Sequence, residues 1–212
     1  MLLCLVAYVT GWVEVPFWGN PWMRLTMSGR VADYLGDRYP ETRFRLTDTG
    51  YNWLNQRYVA HVRSETEPAV AATVLLYHNG EGQDDYLEQK LKTEMVAQLL
   101  PVVQAVLPEA TVRADVTLQD GRKHGEGITY GPDVIGEMMA GITWDLSSAE
   151  PQPFVEQAAA VLAALRQSGL RVDRCRFWGD LGDRSYALDL TKNEMAFTTE
   201  QLLPLVHKPG KW

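Results

Sequence analysis

The sequence is poor in the residues that build metal and redox centres. Its 212 residues include two cysteines and four histidines. Cys4 lies in the apolar opening and Cys175 in an expected strand near the other end. A disulfide between them is not expected if Cys4 sits in lipid or is lost on processing, and a two-cysteine metal site would need further ligands at short spacing. Buried, unreactive thiols are the expectation. No pair among His61, His78, His124 and His207 has metal-binding spacing, so neither metal nor cofactor is called for.

Positive charge is also scarce. Twenty Lys and Arg stand against 27 Asp and Glu, for a net charge of −7. That balance excludes nonspecific nucleic-acid binding, which rests on clustered cations, and gives no pull toward anionic lipid.

A long apolar run is missing as well. Leu2 to Val13 carries no charge, and Glu14 is the only charge before Arg24. This is shorter than the roughly 17 residues a spanning helix requires. A signal peptide would show a basic stretch before the run and small residues at a cleavage site, and neither is seen.

Catalytic and nucleotide signatures are absent. Neither Ser28-Gly29 nor Ser168-Gly169 has the glycine-flanked pattern of a nucleophile elbow. The glycines of DGRKHGEGITYGP are not closed by Lys-Ser or Lys-Thr, so they make no phosphate loop. Asp84-Asp85 is a vivid acidic pair, but at a helix start it is explained by free amides and the helix dipole. Asp180 and Asp183 flank Gly182 in an expected turn.

What is present fits a globular body: 46% hydrophobic and 22% charged residues, enough chain for one large domain or two small ones. The apolar opening is followed by Trp12, Phe17, Trp18 and Trp22, a cluster typical of the bilayer–water boundary, and then Pro16 and Pro21 stop any helix. Residues 1–22 therefore read as the outer end of a membrane anchor or export segment whose beginning precedes the sequence. The rival reading packs them on the body as a short helix or strand. Charge does not choose the side. Arg24 and Arg30 after the run place the body in the cytoplasm, and a basic stretch before it would reverse that.

Beyond the opening, Met27, Val31, Tyr34 and Leu35 mark an amphipathic helix to about Arg38. Three alternating segments follow, around Phe44–Leu46, Tyr58–Val62 and Val70–Leu76, with Gly50-Tyr51-Asn52 between the first two; an antiparallel meander connects them. Asp85 and Glu88 have capping-box spacing before a helix lined by Leu87, Leu91, Met95 and Leu99, which Pro101 kinks or interrupts. A strand holds Val112 to Leu118, Gly131-Pro132-Asp133 begins a short helix, and Ile142, Trp144 and Leu146 mark another strand. A third helix spans 153–168 with Gly169 as its stop, before two strands over 170–178 and 185–190 and a helical turn near 199–206.

The expected fold is α+β, with antiparallel sheets packed against amphipathic helices. A helix–strand–strand order near 24–62 recurs near 153–190, with Arg43 and Tyr58 matched by Arg171 and Tyr186 at equal spacing, which suggests two related αβ subdomains. The expected divisions are 1–22, then 23–80 as helix plus meander, then 81–212 as a C-terminal α+β region. Four aromatics at or near expected turns, Tyr51, Trp53, Phe177 and Trp178, are the candidates for anchoring a partner, against the plainer reading that they edge the core.

Residues 18–64, followed by GEGQDDYLEQ, resemble the YfjL-like family of uncharacterised bacterial proteins. The matching features are Gly19-Asn20-Pro21, Tyr34-Leu35, Tyr39-Pro40, Tyr51-Asn52, Tyr58 and Asp84-Asp85-Tyr86. The resemblance covers about the first 90 residues. It implies a body held outside the cytoplasmic membrane by an N-terminal helix, and it supplies no activity or catalytic residue. The chain departs from the pattern in showing neither a basic start nor a full-length span. The functional expectation is a membrane-tethered, extracytoplasmic, non-catalytic module binding a protein, peptide or envelope component. The alternative is a hydrolase-like enzyme assembled from scattered residues such as Asp84, Asp85, His61 and His124.

Overall fold

The computed structural model describes residues 21–77, 81–119, 127–182 and 184–208. The expected anchor segment lies outside this range except for its last two residues, as do His78 and His124. The protein is α+β. It divides into two compact units, Met1–Gln89 and Lys90–Trp212.

The first unit opens with α1 (Pro21–Arg38). Met23, Met27, Val31 and Leu35 recur every four residues and are buried as one stripe. Pro40 stops the helix, because the residue before a proline is driven out of helical geometry. Four strands follow, β1 (Phe44–Asn52), β2 (Arg57–Ser64), β3 (Ala71–Leu76) and β4 (Gly82–Asp84). They form one antiparallel sheet in the order of the chain. Tyr58, Ala60 and Val62 of β2 pair with Leu76, Val74 and Ala72 of β3, and all six are buried on one face.

Two details depart from the sequence reading of this sheet. The meander has a fourth strand, which at three residues is too short to show a period. It is held by Tyr77 N donating to Glu81 O at 2.9 Å. The first strand also runs on through Gly50-Tyr51-Asn52, placing Tyr51 opposite Tyr58 rather than in a turn. The turn starts after Asn52, whose Oδ1 accepts from Leu54 N at 3.1 Å and so replaces a backbone partner.

The helix α2 (Tyr86–Gln104) begins in the first unit and continues into the second. Pro101 lies inside it without ending it. A proline orphans the carbonyl four residues back, and Ala97 is exposed, so water can serve that group. Then come β5 (Thr111–Leu118), β6 (Gly136–Asp145), α3 (Pro151–Ser168), β7 (Arg174–Leu181) and β8 (Arg184–Thr191). α3 ends at Gly169, whose φ of 70° is the left-handed geometry that glycine adopts without strain. A short α4 (Thr199–Leu202) follows, its first amides satisfied by a Thr198/Gln201 capping box.

The sheet order is β5-β6-β7-β8. The outer pairs are antiparallel, but β6 and β7 run parallel, which corrects the expectation of antiparallel sheets. The cause is α3: two strands joined through a long helix can be fed back in the same direction. Both helices bury their apolar stripes against one face of this sheet. Leu91, Met95 and Leu99 of α2, with Phe154, Ala158, Val161 and Leu162 of α3, meet Met138, Ile142, Phe177 and Leu188 of the strands in one core.

Gly131-Pro132-Asp133 forms a turn, not the short helix expected. The Arg171 guanidinium takes the carbonyls of Pro132, Val134 and Gly136, the first at 3.3 Å and the last at 2.7 Å. Carbonyls held by a side chain are not free to build a helical ladder. The helix–strand–strand order occurs as α1-β1-β2, α2-β5-β6 and α3-β7-β8.

Candidate functional site

Of the residues behind the enzyme alternative, Asp84, Asp85 and His61 are among the described residues, and each has its own partners. Asp84 is a saturated acceptor. Its carboxylate, 1% exposed, accepts from Tyr34 Oη at 2.8 Å, Tyr39 Oη at 2.7 Å and Tyr86 N at 3.1 Å, and pairs with Arg38 Nε at 3.3 Å. Burial raises the Tyr34 and Tyr39 phenols well above their usual range, and Asp84 adds to the shift. Asp85 points elsewhere, accepting from Thr73 N at 2.6 Å and Gln89 Nε2 at 2.9 Å. His61 is exposed, with Nδ1 3.4 Å from Thr73 Oγ1. Among the described residues no group of three or more His, Cys, Asp and Glu is arranged to hold a metal ion.

The Asp84 cluster gathers four of the residues that carry the resemblance, Tyr34, Tyr39, Asp84 and Tyr86. The Tyr39 and Tyr86 rings meet edge to face with centroids 4.8 Å apart, and Phe44 meets Tyr86 at 4.9 Å. Tyr34, Tyr39, Asp84 and Tyr86 therefore tie α1 to the end of β4. Their role is architectural.

The four aromatic candidates have different fates. Tyr51 is half-buried against Tyr58, with ring centroids 4.9 Å apart. Trp53 is exposed at the β1–β2 turn. Phe177 is fully buried in the second core, so its expected exposure is corrected: strand alternation turns it inward. The same alternation turns its neighbour Trp178 outward.

Trp178 belongs to the sheet face opposite the core, where register aligns side chains in transverse rows. One row runs Thr111, Thr143, Trp178 and Ala187 across the four strands. The next runs Arg113, Gly141, Arg176 and Asp189, and the third Asp115, Met139, Arg174 and Thr191. Residues in register on neighbouring strands share a face. Gly141 has no side chain at the centre of this pattern, and the result is a groove of about 560 Å³. Arg113, Met139, Thr143, Arg176 and Trp178 are among the residues that line it.

The charges around the groove are mostly paired. Arg176 Nε donates to Asp189 Oδ1 at 2.7 Å, and that hydrogen bond raises the guanidinium pKa further. Asp115 pairs with Lys92 at 2.8 Å. Arg113 is exposed and has no hydrogen-bond or ion-pair partner among the described residues. Sequence reasoning missed Gly141 and Arg113. The available signal was a glycine in the middle of the alternation Met138, Ala140, Ile142, Trp144, since an interior strand glycine marks a place where something approaches closely.

Among the described residues no helix is long and apolar enough to cross a membrane. No curated protein and no solved structure matches the chain. Residues 1–80 match the family model described as YfjL-like, N-terminal domain, so the N-terminal part of the chain is similar to that family.

Proposed function

We propose that the protein is a non-catalytic binding module, tethered to a membrane through its N-terminal segment with its body outside the cytoplasm. It takes an extended segment of a protein or peptide partner across the outward face of β5, β6 and β7. The observation that carries this reading is the groove at Gly141, with Trp178 and Met139 on its sides and Arg113 without an ion-pair partner among the described residues. An aromatic side chain supplies a large, rigid contact area, and a groove of several hundred Å³ has the size of a recognition site.

Support for the tether comes from the uncharged run Leu2–Val13 and the aromatic cluster after it. Trp22 and Leu25, 59% and 77% exposed on the first turns of α1, continue that apolar character. Aromatic and aliphatic side chains of this kind settle at the headgroup level.

Photo-crosslinking in cells tests the binding reading. A photoreactive side chain at Thr143 forms a specific adduct with the partner, whereas one at Ala160 on the exposed side of α3 does not. Equal adducts at both positions, or none, overturn it. For the tether, protease added to cells with a permeabilised outer layer cleaves the body while a cytoplasmic marker survives; protection of the body would refute that address.

A further inference from the structure

Resting on the binding reading above, we infer that the partner segment is recognised through a single carboxylate set over Gly141, between Arg113 and Arg176. The argument begins with position. Arg113 and Arg176 are the register neighbours of Gly141 on either side, so the two guanidinium stems flank a site with no side chain of its own. A Cβ added at Gly141 would have Arg113 Cβ as its nearest side-chain atom, at 3.9 Å, which is ordinary contact. The glycine is therefore not required by crowding. What its absent side chain provides is open space between two cations.

Charge fixes the class of ligand. Arg176 is engaged by Asp189 through Nε, at 2.7 Å, and its terminal nitrogens remain for a second acceptor. Asp115, the carboxylate within the groove lining, is neutralised by Lys92. Among the charged residues that line the groove, Arg113 is the one without a partner among the described residues, which leaves one positive unit there. A carboxylate matches it, whereas a phosphate dianion would leave a negative charge against a protein of net charge −7. Trp178, one row away, is placed to take an apolar residue next to the acid in an extended segment. Successive side chains of such a segment alternate, so the acid and the apolar residue stand two apart.

The test uses the full chain and peptides selected from an unbiased displayed library. Selected peptides carry Asp or Glu two positions from an apolar residue. Replacing that acid by its amide weakens binding to the wild type by about ten- to a hundredfold, the range of a charge-assisted hydrogen bond. In Arg113→Gln the same replacement costs less than about threefold, because the partner charge is gone. Amidated C-termini leave affinity unchanged, whereas a loss on amidation alone would assign the carboxylate to the chain end and overturn the side-chain spacing. If acid and amide differ equally for wild type and Arg113→Gln, while Gly141→Leu still abolishes binding, the carboxylate inference fails and the groove reading stands. If no peptide is selected, or binding ignores Gly141→Leu and Trp178→Ala, the groove reading itself fails.

Discussion

Gly141 of β6 lies directly across from Arg113 of β5, and the space where its side chain would stand is open on the outward face of the sheet. Glycine in a strand interior is unfavourable, because it loses more backbone entropy on folding and packs nothing. A fold under no other demand would fill this position. Gly141→Val is therefore expected to leave stability unchanged or raise it by about 0.5–1 kcal/mol, as read by urea unfolding, while closing the groove.

Gly136 is the control for that substitution. A Cβ there would stand 2.4 Å from the Thr117 carbonyl oxygen, a backbone atom that has nowhere to move without disturbing the β5–β6 pairing. Gly136→Ala is expected to destabilise the protein by about 1–3 kcal/mol, the range for an overpacked interior. A neutral result would mean that the two strands separate more easily here than their register implies.

Tyr39→Phe removes the hydroxyl that donates to Asp84 at 2.7 Å and leaves part of a buried carboxylate unsatisfied. The expected loss is about 1–3 kcal/mol by equilibrium unfolding. Partner binding is unaffected, because Asp84 belongs to the architecture of the first unit.

Alkaline pH tests the tyrosines. Burial raises Tyr34 and Tyr39 strongly and pushes Tyr130 up to about 12. A group whose pKa is higher folded than unfolded binds more protons in the folded state, so its contribution is complete below about pH 10, the unfolded value, and fades as pH rises from there. Phenolate absorbance in the native protein should therefore develop late for these three, and stability should fall above about pH 10. Full ionisation at pH 10–11 without unfolding would contradict the buried placements.

Cys175 is fully buried, and burial, reinforced by Asp189, drives its thiol pKa far above the usual range. In a Cys4→Ser background a thiol reagent at pH 8 should leave Cys175 unlabelled until denaturant is added, since only the thiolate reacts. Rapid native labelling would show that the β6–β7–β8 core opens.

Much of this fold was legible because its signals are local. The four-residue stripe of Met23, Met27, Val31 and Leu35 and the alternation of Tyr58, Ala60 and Val62 are visible within one element each. What was not legible depends on partners distant in the chain. The parallel β6–β7 pair exists only once α3 has folded back. The Gly131–Asp133 turn is decided by Arg171, whose guanidinium reaches Pro132 from 39 residues away. The Asp84-Asp85 pair was legible as structural, but not its partners, because Tyr34 lies 50 residues earlier. Trp178 was named for its nearness to a turn, and what matters about it is the strand face it shares with Thr143. Arg113 and Gly141 become a site only through register across three strands, which no single stretch of sequence displays.

Oxidative footprinting of Met139 and Trp178, in cells and in the purified protein, tests the central claim most directly. If the outward face of the second sheet is where a partner lies, both residues are oxidised more slowly in cells, Met195 on the opposite side of the unit serves as the unchanged reference, and Gly141→Leu removes the protection. Equal oxidation of Met139 and Trp178 in the two settings would show that this face stays open in the cell, and the binding account would be wrong.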